Sequence, residues 1–526
     1  MLVAIGTVLR LIGLGTAPLW LDEALSWNFA SHTLAQIWSW APTLDIANPP
    51  LYYTMLHAWL LLGDSAASLR LLSVLASVAV IPVIFALGKV IGGPRLGLLA
   101  ALLATISPIA VRYAQEARTY ALLLLAATLV MWSLARLIAQ PDAASQPIGA
   151  GLRQIVRSVT TNGAGPRRSR SLDSAWLIYI LAAASALLLH DTAFLLLVGA
   201  NVVVVLWLTT TPSQNNRAFL RNWCVAQFAV ILLWLPWLPG FLQQTHEVQA
   251  NFWIPFPTAS LILQTAYELL ASRTFITVPV GAQWVVAGTI GAALVVLAIT
   301  GLWALRTSRK WLLLVVVLMG FAPAAEVVIS VLRPLLLGRT LIWTTVPLEL
   351  AFAAGLLWLR PGLVRGVALS TVIMVSGWGL WNYLTIPQKE AWDQTAAYIA
   401  NHATAGDGVL FGSASTRVPF DYYFRTSGKV LDEGGLPRDM PTNQYQEEMM
   451  RPSDEATVRA LASAHPRVWL VWSTHAAFTD PSGLIPMSIA QVDDLVAAVP
   501  FTGGVELYLY VRRGAGSTLG PPAAAP

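Results

Sequence analysis

The sequence predicts a polytopic α-helical membrane protein that ends in a small α/β domain. Of the 526 residues, 56% are hydrophobic and 11% are charged, whereas an average soluble domain carries about 25% charged residues. Apolar runs of roughly 20 residues, the length that a helix needs to cross a bilayer, recur throughout residues 1–385. From residue 386 the composition becomes that of a soluble domain.

About eleven apolar runs have the length of a transmembrane helix. They lie near residues 1–18, 69–88, 95–111, 119–138, 174–190, 192–209, 219–240, 282–304, 311–331, 339–359 and 366–385. The first run lacks a basic start and a small-residue cleavage pattern, so we interpret it as a span and not as a secretion signal. We assign the Pro-rich segment 48–62 to a loop lying against the membrane.

The distribution of basic residues predicts which connections are cytoplasmic. Lys and Arg collect in alternate connections, as the positive-inside rule requires of cytoplasmic loops. The sparsely basic connections are 19–68, 112–118, 190–191, 241–281 and everything after 385. We therefore expect a cytoplasmic N-terminus, an outward-facing first loop over 19–68, and an extracytoplasmic C-terminal domain.

Three segments are predicted outside the spans besides the first outer loop. The composition of residues 140–173 predicts a flexible, basic cytoplasmic linker held near anionic lipid. The pattern over residues 386–515 predicts an extracytoplasmic α/β domain, with a helix over 392–403 and strands over 408–412, 467–472 and 505–511. Residues 516–526 are expected to be a disordered tail.

Charged and polar side chains concentrate in the predicted outer connections. Asp22 and Glu23 lie where the first span ends, flanked by Trp20 and Trp27. Charges at membrane depth cost about 2.5–3.5 kcal/mol each, so their clustering on one face indicates a reaction site. The substrate-binding candidates are Glu23, Asp45, Asn48, Tyr52, Arg112, Glu116, Arg118, Tyr120, His190 and Arg339.

The residue types suit a phosphorylated lipid carrying a sugar. Arginine is a permanently charged fork that matches phosphate oxygens. The Glu, Asn, Tyr and His side chains suit sugar hydroxyls. An acceptor hydroxyl becomes a good nucleophile only when a base takes its proton, and Asp22 is our candidate for that base.

Simpler interpretations compete with these roles. Asp22 and Glu23 could merely stabilise the start of a helix, and Glu116 could pair with Arg118 or Arg112. His57 and His190 are single histidines on apolar segments, which are more often structural than catalytic. Arg10, inside the first span, is expected to pair within the helix bundle or to reach outward to water.

We predict neither a metal nor another cofactor, and no nucleic-acid partner. Asp22, Asp45 and Glu116 could supply the oxygen ligands that Mg²⁺ or Mn²⁺ prefers, but we do not assign them to a metal. The net charge of +5 reflects the basic cytoplasmic loops. The single cysteine, Cys224, excludes an intramolecular disulfide.

Four motifs in order resemble a known family. LWLDEA at 19–24, NPPLYY at 48–53, S-x-R-x-x-S at 68–73 and RYAQEARTYAL at 112–122 resemble the GT-C class of polyprenyl-phosphate-dependent glycosyltransferases. The resemblance is to bacterial members of glycosyltransferase family 39, relatives of protein O-mannosyltransferases and aminoarabinose transferases. It is good over about residues 1–210 and loose afterwards, where 338–340 resembles a late Arg-Tyr turn of the family.

The resemblance implies a GT-C fold and an inverting sugar transfer at the outer face of a bacterial cytoplasmic membrane. Asp22 would be the base, Glu23 and Glu116 would place the substrate, and Arg118, Arg112 or Arg339 would hold the lipid phosphate. The expected partners are a polyprenyl-phosphate-linked sugar, membrane lipids, and an acceptor protein, lipid or glycan. Asn48 stands where many relatives have His, and Thr340 where Tyr is usual.

Two other functions stay open at this point. A transporter or flippase of a lipid-linked sugar would carry polar groups near the bilayer midplane and repeated halves, whereas the charges here gather at one surface. A glycolipid-binding scaffold would bind the donor without turnover. Neither the sugar nor the acceptor follows from the motifs.

Overall fold

The computed structural model describes residues 1–44, 48–146, 167–250, 254–272, 278–360, 362–387, 389–439 and 449–513. The chain forms two compact units. The membrane unit comprises Met1–Ile12, Ile46–Met55 and Arg70–Thr385, and the C-terminal unit comprises Gly13–Asp45, Leu56–Leu69 and Ile386–Pro526. Much of the first outer loop, predicted over 19–68, therefore packs with the C-terminal residues.

Helices make up most of the described chain. In chain order they are α1 Leu2–Leu11, α2 Leu21–Ala30, α3 Leu34–Leu44, α4 Leu51–Trp59, α5 Ala66–Gly92, α6 Pro94–Ile106, α7 Pro108–Ala114, α8 Tyr120–Ala139, α9 Pro141–Ala144, α10 Arg167–Leu189, α11 Ala193–Thr210, α12 Asn216–Trp234, α13 Leu238–Ala250, α14 Ala259–Ala271, α15 Gln283–Leu305, α16 Arg309–Ser330, α17 Thr345–Trp358, α18 Gly362–Thr385, α19 Trp392–His402, α20 Arg417–Phe424, α21 Glu455–Ser463, α22 Thr474–Thr479 and α23 Leu484–Ala490.

The apolar helices agree with the predicted spans. Among the described residues, seven helices are long and apolar enough to cross a membrane, and the bent pair α6 and α7 adds an eighth. Shorter apolar helices at Leu2–Leu11, Ser174–Leu189 and Ile342–Trp358 occupy the other three predicted spans. The prediction of a polytopic helical membrane protein is thereby confirmed.

The segment 48–62 differs from the expected loop, because it is helical from Leu51 onward. Pro49 and Pro50 precede the helix, where the missing N–H of proline removes no helical hydrogen bond. The carbonyl of Pro50 accepts the N–H of Thr54 at 2.9 Å and so starts the helix. The prolines therefore begin this helix and do not break it.

The bend between α6 and α7 measures 56°, and Arg10 satisfies the carbonyl groups that it exposes. Pro108 has no N–H, so the carbonyl of Ala104 lacks its usual helical partner. The Arg10 guanidinium donates to the carbonyls of Ala104 and Thr105 at 3.1 and 3.2 Å and to Ser77 Oγ at 2.8 Å. Arg10 is thus paired within the bundle, one of the two arrangements expected for it.

Helices α15 and α17 approach each other closely through two glycines. A Cβ atom on Gly301 would lie 1.8 Å from the carbonyl oxygen of Ala351, and one on Gly355 would lie 2.6 Å from that of Leu297. Such close backbone approach between apolar helices depends on small residues, because lipid provides little hydrophobic drive for their association.

Gly301→Ala is therefore expected to destabilise the membrane unit by about 1–3 kcal/mol, the usual range for overpacking. The measurement is the thermal unfolding midpoint of the purified protein in detergent. Gly288→Ala is the matched control on the same helix, since no described atom beyond its own stretch of helix lies within 4 Å of its added Cβ. Equal midpoints for the two variants would contradict close packing at Gly301.

The C-terminal unit contains a five-stranded mixed sheet of order β2-β1-β3-β5-β4. Its strands are β1 Gly408–Phe411, β2 Asp432–Gly435, β3 Arg467–Trp472, β4 Asp493–Phe501 and β5 Val505–Arg512. Strand β1 runs parallel to β2 and β3, whereas β5 pairs antiparallel with β3 and β4. The small C-terminal α/β domain is thereby confirmed.

Both faces of this sheet are covered. Phe411 and Trp469 belong to one buried cluster with α19, and Leu410 and Leu470 belong to another with α21 and α23. Successive residues of β1 and β3 thus point to opposite faces, as the period of two in a strand requires. The helix Trp392–His402 presents Trp392 and Ile399 to the first cluster.

Candidate functional site

Asp22 lies in the first turn of α2. Asp22 is 6% exposed and Glu23 is fully buried, so the helix start is enclosed. Trp20 is the N-cap residue and its side chain makes no cap hydrogen bond. Carboxylates are favourable at this end of a helix, where backbone N–H groups lack helical partners.

Glu23 pairs with a lysine from the beginning of the C-terminal segment. The Lys389 ammonium lies 2.8 Å from a Glu23 carboxylate oxygen, and the lysine side chain is 11% exposed. Because an unpaired buried carboxylate would be strongly destabilising, this ion pair fixes α2 against residue 389. The substrate-binding role of Glu23 stays a prediction.

Glu390, the next residue, bonds to the start of the same helix. One carboxylate oxygen accepts the N–H of Leu21 at 3.3 Å and the indole N–H of Trp392 at 2.7 Å. The other lies 3.8 Å from His475 Nε2. Burial raises the pKa of Glu390, the charge of His475 opposes this, and the charge of Asp22 adds to it.

Further contacts hold the chain around α2. The Tyr423 hydroxyl lies 2.7 Å from the Leu19 nitrogen, whose N–H donates to it. At the other end of α2, His57 Nδ1 lies 2.8 Å from the Ala30 carbonyl oxygen. His57 thus makes a structural contact, and α2 is held at both ends.

In the membrane unit, Arg112 lies between two carboxylates. Its Nε is 3.5 Å from Glu116 and its Nη1 is 3.1 Å from Glu268. The two acids offset its charge. Of the two pairings considered for Glu116, with Arg118 or with Arg112, the structure shows the one with Arg112. Glu268, on α14, is a residue that sequence reasoning missed, since 156 residues separate it from its partner.

Arg118 connects its own sequence motif to two others. Its Nη1 lies 3.4 Å from the Tyr53 hydroxyl, and its carbonyl accepts a hydrogen bond from Ser73 at 3.3 Å. The rings of Tyr52 and Tyr53 contact edge to face at 5.6 Å. Parts of the NPPLYY, S-x-R-x-x-S and RYAQEAR motifs therefore meet in space.

The first loop also carries the predicted residues Asp45 and Asn48. Asp45 lies outside the described residues. Asn48 is buried, and its side-chain oxygen has no hydrogen-bond partner in the described part of the chain.

Tyr120, His190 and Arg339 form a second cluster in the membrane unit. The Arg339 guanidinium lies 5.7 Å and the His190 ring 6.1 Å from the Tyr120 ring. His190 Nδ1 accepts the backbone N–H of Thr192 at 3.2 Å. A neutral His190 would therefore carry its proton on Nε2 and could donate it in a hydrogen bond.

Comparisons with known proteins agree with these motifs. Residues 47–152 match the family model described as dolichyl-phosphate-mannose-protein mannosyltransferase. The fold is similar to that of ArnT from Cupriavidus metallidurans in the apo state, at 13% identity over 97% of both chains and a TM-score of 0.59. The chain has the GT-C glycosyltransferase fold. The predicted resemblance and the prediction of a glycosyltransferase are confirmed by the family match and this fold.

Two further GT-C structures are similar. ArnT bound to undecaprenyl phosphate gives 13% identity over 99% of this chain and 98% of that one, with a TM-score of 0.57. AglB from Archaeoglobus fulgidus, in complex with an inhibitory peptide and a dolichol-phosphate, gives 9% identity over 98% of this chain and 74% of that one, with a TM-score of 0.51. No curated protein sequence matches the chain significantly.

The described side chains of the GT-C fold offer no group of three or more His, Cys, Asp or Glu arranged to hold a metal ion. Asp45, one of the three oxygen ligands considered, lies outside the described residues. The expectation of no metal and no cofactor stays a prediction.

Lys389→Met is expected to destabilise the C-terminal unit by about 3 kcal/mol, because it leaves the Glu23 carboxylate buried without its cation. The thermal unfolding midpoint of the purified protein measures the effect. Lys429→Met is the matched control, since Lys429 is exposed and its ammonium donates to a backbone carbonyl, that of Ala403 at 3.2 Å.

Adding Glu23→Gln to Lys389→Met should recover much of that loss, because the remaining amide carries no charge. If the double variant is as unstable as Lys389→Met alone, the ion pair is not the source of the effect.

Proposed function

We propose that this protein is an inverting glycosyltransferase that moves a sugar from a polyprenyl-phosphate donor to an acceptor hydroxyl. The reaction would take place at the extracytoplasmic face of a bacterial cytoplasmic membrane. The observation that carries the proposal lies in the family-matched segment 47–152. Within it, Arg118 of one motif bonds to Tyr53 of another. Tyr120, in the same motif as Arg118, lies near Arg339 and His190, two residues outside that segment. The same set of side chains suits an anionic lipid phosphate and a sugar.

Arg118 and Arg339 are the phosphate-binding residues that we favour. Arg112 already has two carboxylates within 3.5 Å, which lower its attraction for an anion. Arg339 lies over the Tyr120 ring, an arrangement that suits the planar guanidinium. An undecaprenyl phosphate is bound by ArnT, whose structure this fold resembles, which supports a donor of this class.

Asp22 would act as the general base. As the acceptor oxygen attacks the anomeric carbon from the face opposite the phosphate, Asp22 takes the hydroxyl proton. The bond between the anomeric carbon and the phosphate oxygen breaks, and its electron pair leaves with the phosphate. A single displacement of this kind inverts the anomeric configuration, and the arginines stabilise the charge that develops on the leaving phosphate.

The other candidates would orient the sugar and the acceptor. Glu116, Asn48, Tyr52, His190 and, by sequence alone, Asp45 offer hydrogen bonds to hydroxyl groups. The pairing of Glu23 with Lys389 offsets the charge of one of the two adjacent acids. Membrane lipids would surround the apolar helices, and the acceptor could be a protein, lipid or glycan.

Asp22→Asn should lower sugar transfer at least about 100-fold, the lower end of the contribution of a general base, while donor binding persists. The assay incubates purified protein with radiolabelled polyprenyl-phosphate sugars extracted from cells and follows free lipid phosphate and glycosylated product. Asp64→Asn is the control, since Asp64 is a half-exposed acid of the same outer loop.

Near-normal transfer by Asp22→Asn would exclude Asp22 as the base. If the unaltered protein moves the labelled lipid across vesicle membranes without cleaving it, the function would be that of a flippase.

A further inference from the structure

A buried carboxyl group on α16 has no role in the proposed reaction. Glu326 is fully buried in a helix that is long and apolar enough to span a membrane. An acidic side chain in such a helix is costly unless other polar groups bond to it. Its partners therefore indicate what it does.

The partner of Glu326 lies next to Arg339. The Thr340 hydroxyl lies 3.2 and 3.3 Å from the two Glu326 oxygens and 2.8 Å from the Leu337 carbonyl oxygen. Leu337 precedes Arg339 by two residues and Thr340 follows it directly. One hydroxyl thus links the carboxyl group on α16 to both ends of the turn that carries the arginine.

The rest of the turn is equally constrained. The Thr340 carbonyl accepts a hydrogen bond from the Thr192 hydroxyl at 3.4 Å, which links it to the residue that bonds His190. At Gly338, an added Cβ would lie 2.6 Å from a Glu268 carboxylate oxygen, so the backbone packs directly against that acid. Glu326 supplies the contact from α16.

We propose that Glu326 is a positioning residue that orients Arg339 toward the donor phosphate. This inference rests on the proposed phosphate-binding role of Arg339. In this proposal Glu326 acts through the turn 337–340. Donor binding and sugar transfer depend on placing a charged group to within a fraction of an ångström.

Loss of the carboxyl group would remove the bond between this turn and α16. The Thr340 hydroxyl could still donate to the Leu337 carbonyl, 2.8 Å away, but that bond lies within the turn. The turn would therefore be less firmly held against α16, and Arg339 would move with it.

The first test needs no donor. Hydrogen–deuterium exchange of the full-length protein in detergent should show at least about tenfold faster exchange over 336–341 in Glu326→Leu, the equivalent of one lost hydrogen bond. Glu326→Gln keeps an acceptor oxygen and should exchange nearly as the unaltered protein does. Unchanged exchange over 336–341 in Glu326→Leu would overturn the proposal.

Thr340 provides a milder pair of variants that leaves the buried acid in place. Thr340→Val removes the hydroxyl and should accelerate exchange over 336–341 in the same direction, whereas Thr340→Ser keeps the hydroxyl and should restore protection. Equal exchange in these two variants would also contradict a role for Glu326 in holding the turn.

The second test asks whether Glu326 acts through Arg339. The Kd for undecaprenyl phosphate should rise about tenfold in Glu326→Leu and more in Arg339→Ala. The double variant should bind no more weakly than Arg339→Ala alone, since a residue that acts through Arg339 has no effect once the guanidinium is absent. Additive losses would show an effect that bypasses Arg339 and would overturn the proposal.

The two tests separate this inference from the proposed function. If the protein binds undecaprenyl phosphate with the expected coupling but transfers no sugar, the glycosyltransferase proposal fails and the positioning role stands. If transfer occurs and the exchange over 336–341 does not respond to Glu326→Leu, the positioning role fails alone.

Discussion

The exclusion of unpaired charge from an apolar interior determines where this protein can keep its polar groups. Three buried charged side chains show this constraint. Arg10 bonds carbonyls exposed by the bend at Pro108, Glu23 bonds Lys389, and Glu326 bonds the turn before α17. Since each of these side chains would be costly without its partners, each also fixes the backbone that supplies them.

In both units, this pairing positions a segment that carries a candidate functional residue. In the C-terminal unit, Lys389 and Glu390 hold the start of α2, which carries Asp22. In the membrane unit, Glu326 holds the turn that carries Arg339. The neighbours of these segments thus set both groups of the proposed chemistry in place. These groups are the Asp22 carboxylate at the start of α2 and the Arg339 guanidinium in its turn.

Much of the fold follows from local sequence patterns. Hydropathy is a sum over one segment, so the spans and strands β1, β3 and β5 could be predicted from their own residues. Strands β2 and β4 could not, because β2 is the polar sequence Asp432–Gly435 and β4 begins with two acids and contains Pro500. Both lie at the edges of the sheet, where polar residues and proline are tolerated.

The candidate site divides in the same way. The motifs containing Asp22, Arg118 and Tyr120 are continuous in sequence and could be recognised. Lys389, Glu390, Glu268 and Glu326 could not, because nothing near them in sequence distinguishes them from other polar residues; the Glu23 and Lys389 pair is separated by 366 positions. Their contacts with the segments that carry the motif residues are visible only in the folded structure.

The proposed enzyme requires that Asp22 and Arg339 face the same side of the membrane. Cysteine labelling in intact cells tests this most directly, in a Cys224→Ser background with Ser31→Cys near α2, Leu332→Cys near Arg339, and Ser213→Cys in a predicted cytoplasmic connection. All three side chains are exposed. A membrane-impermeant maleimide should label positions 31 and 332 in intact cells and position 213 only after permeabilisation. Labelling of 31 and 332 from opposite sides would contradict a shared site.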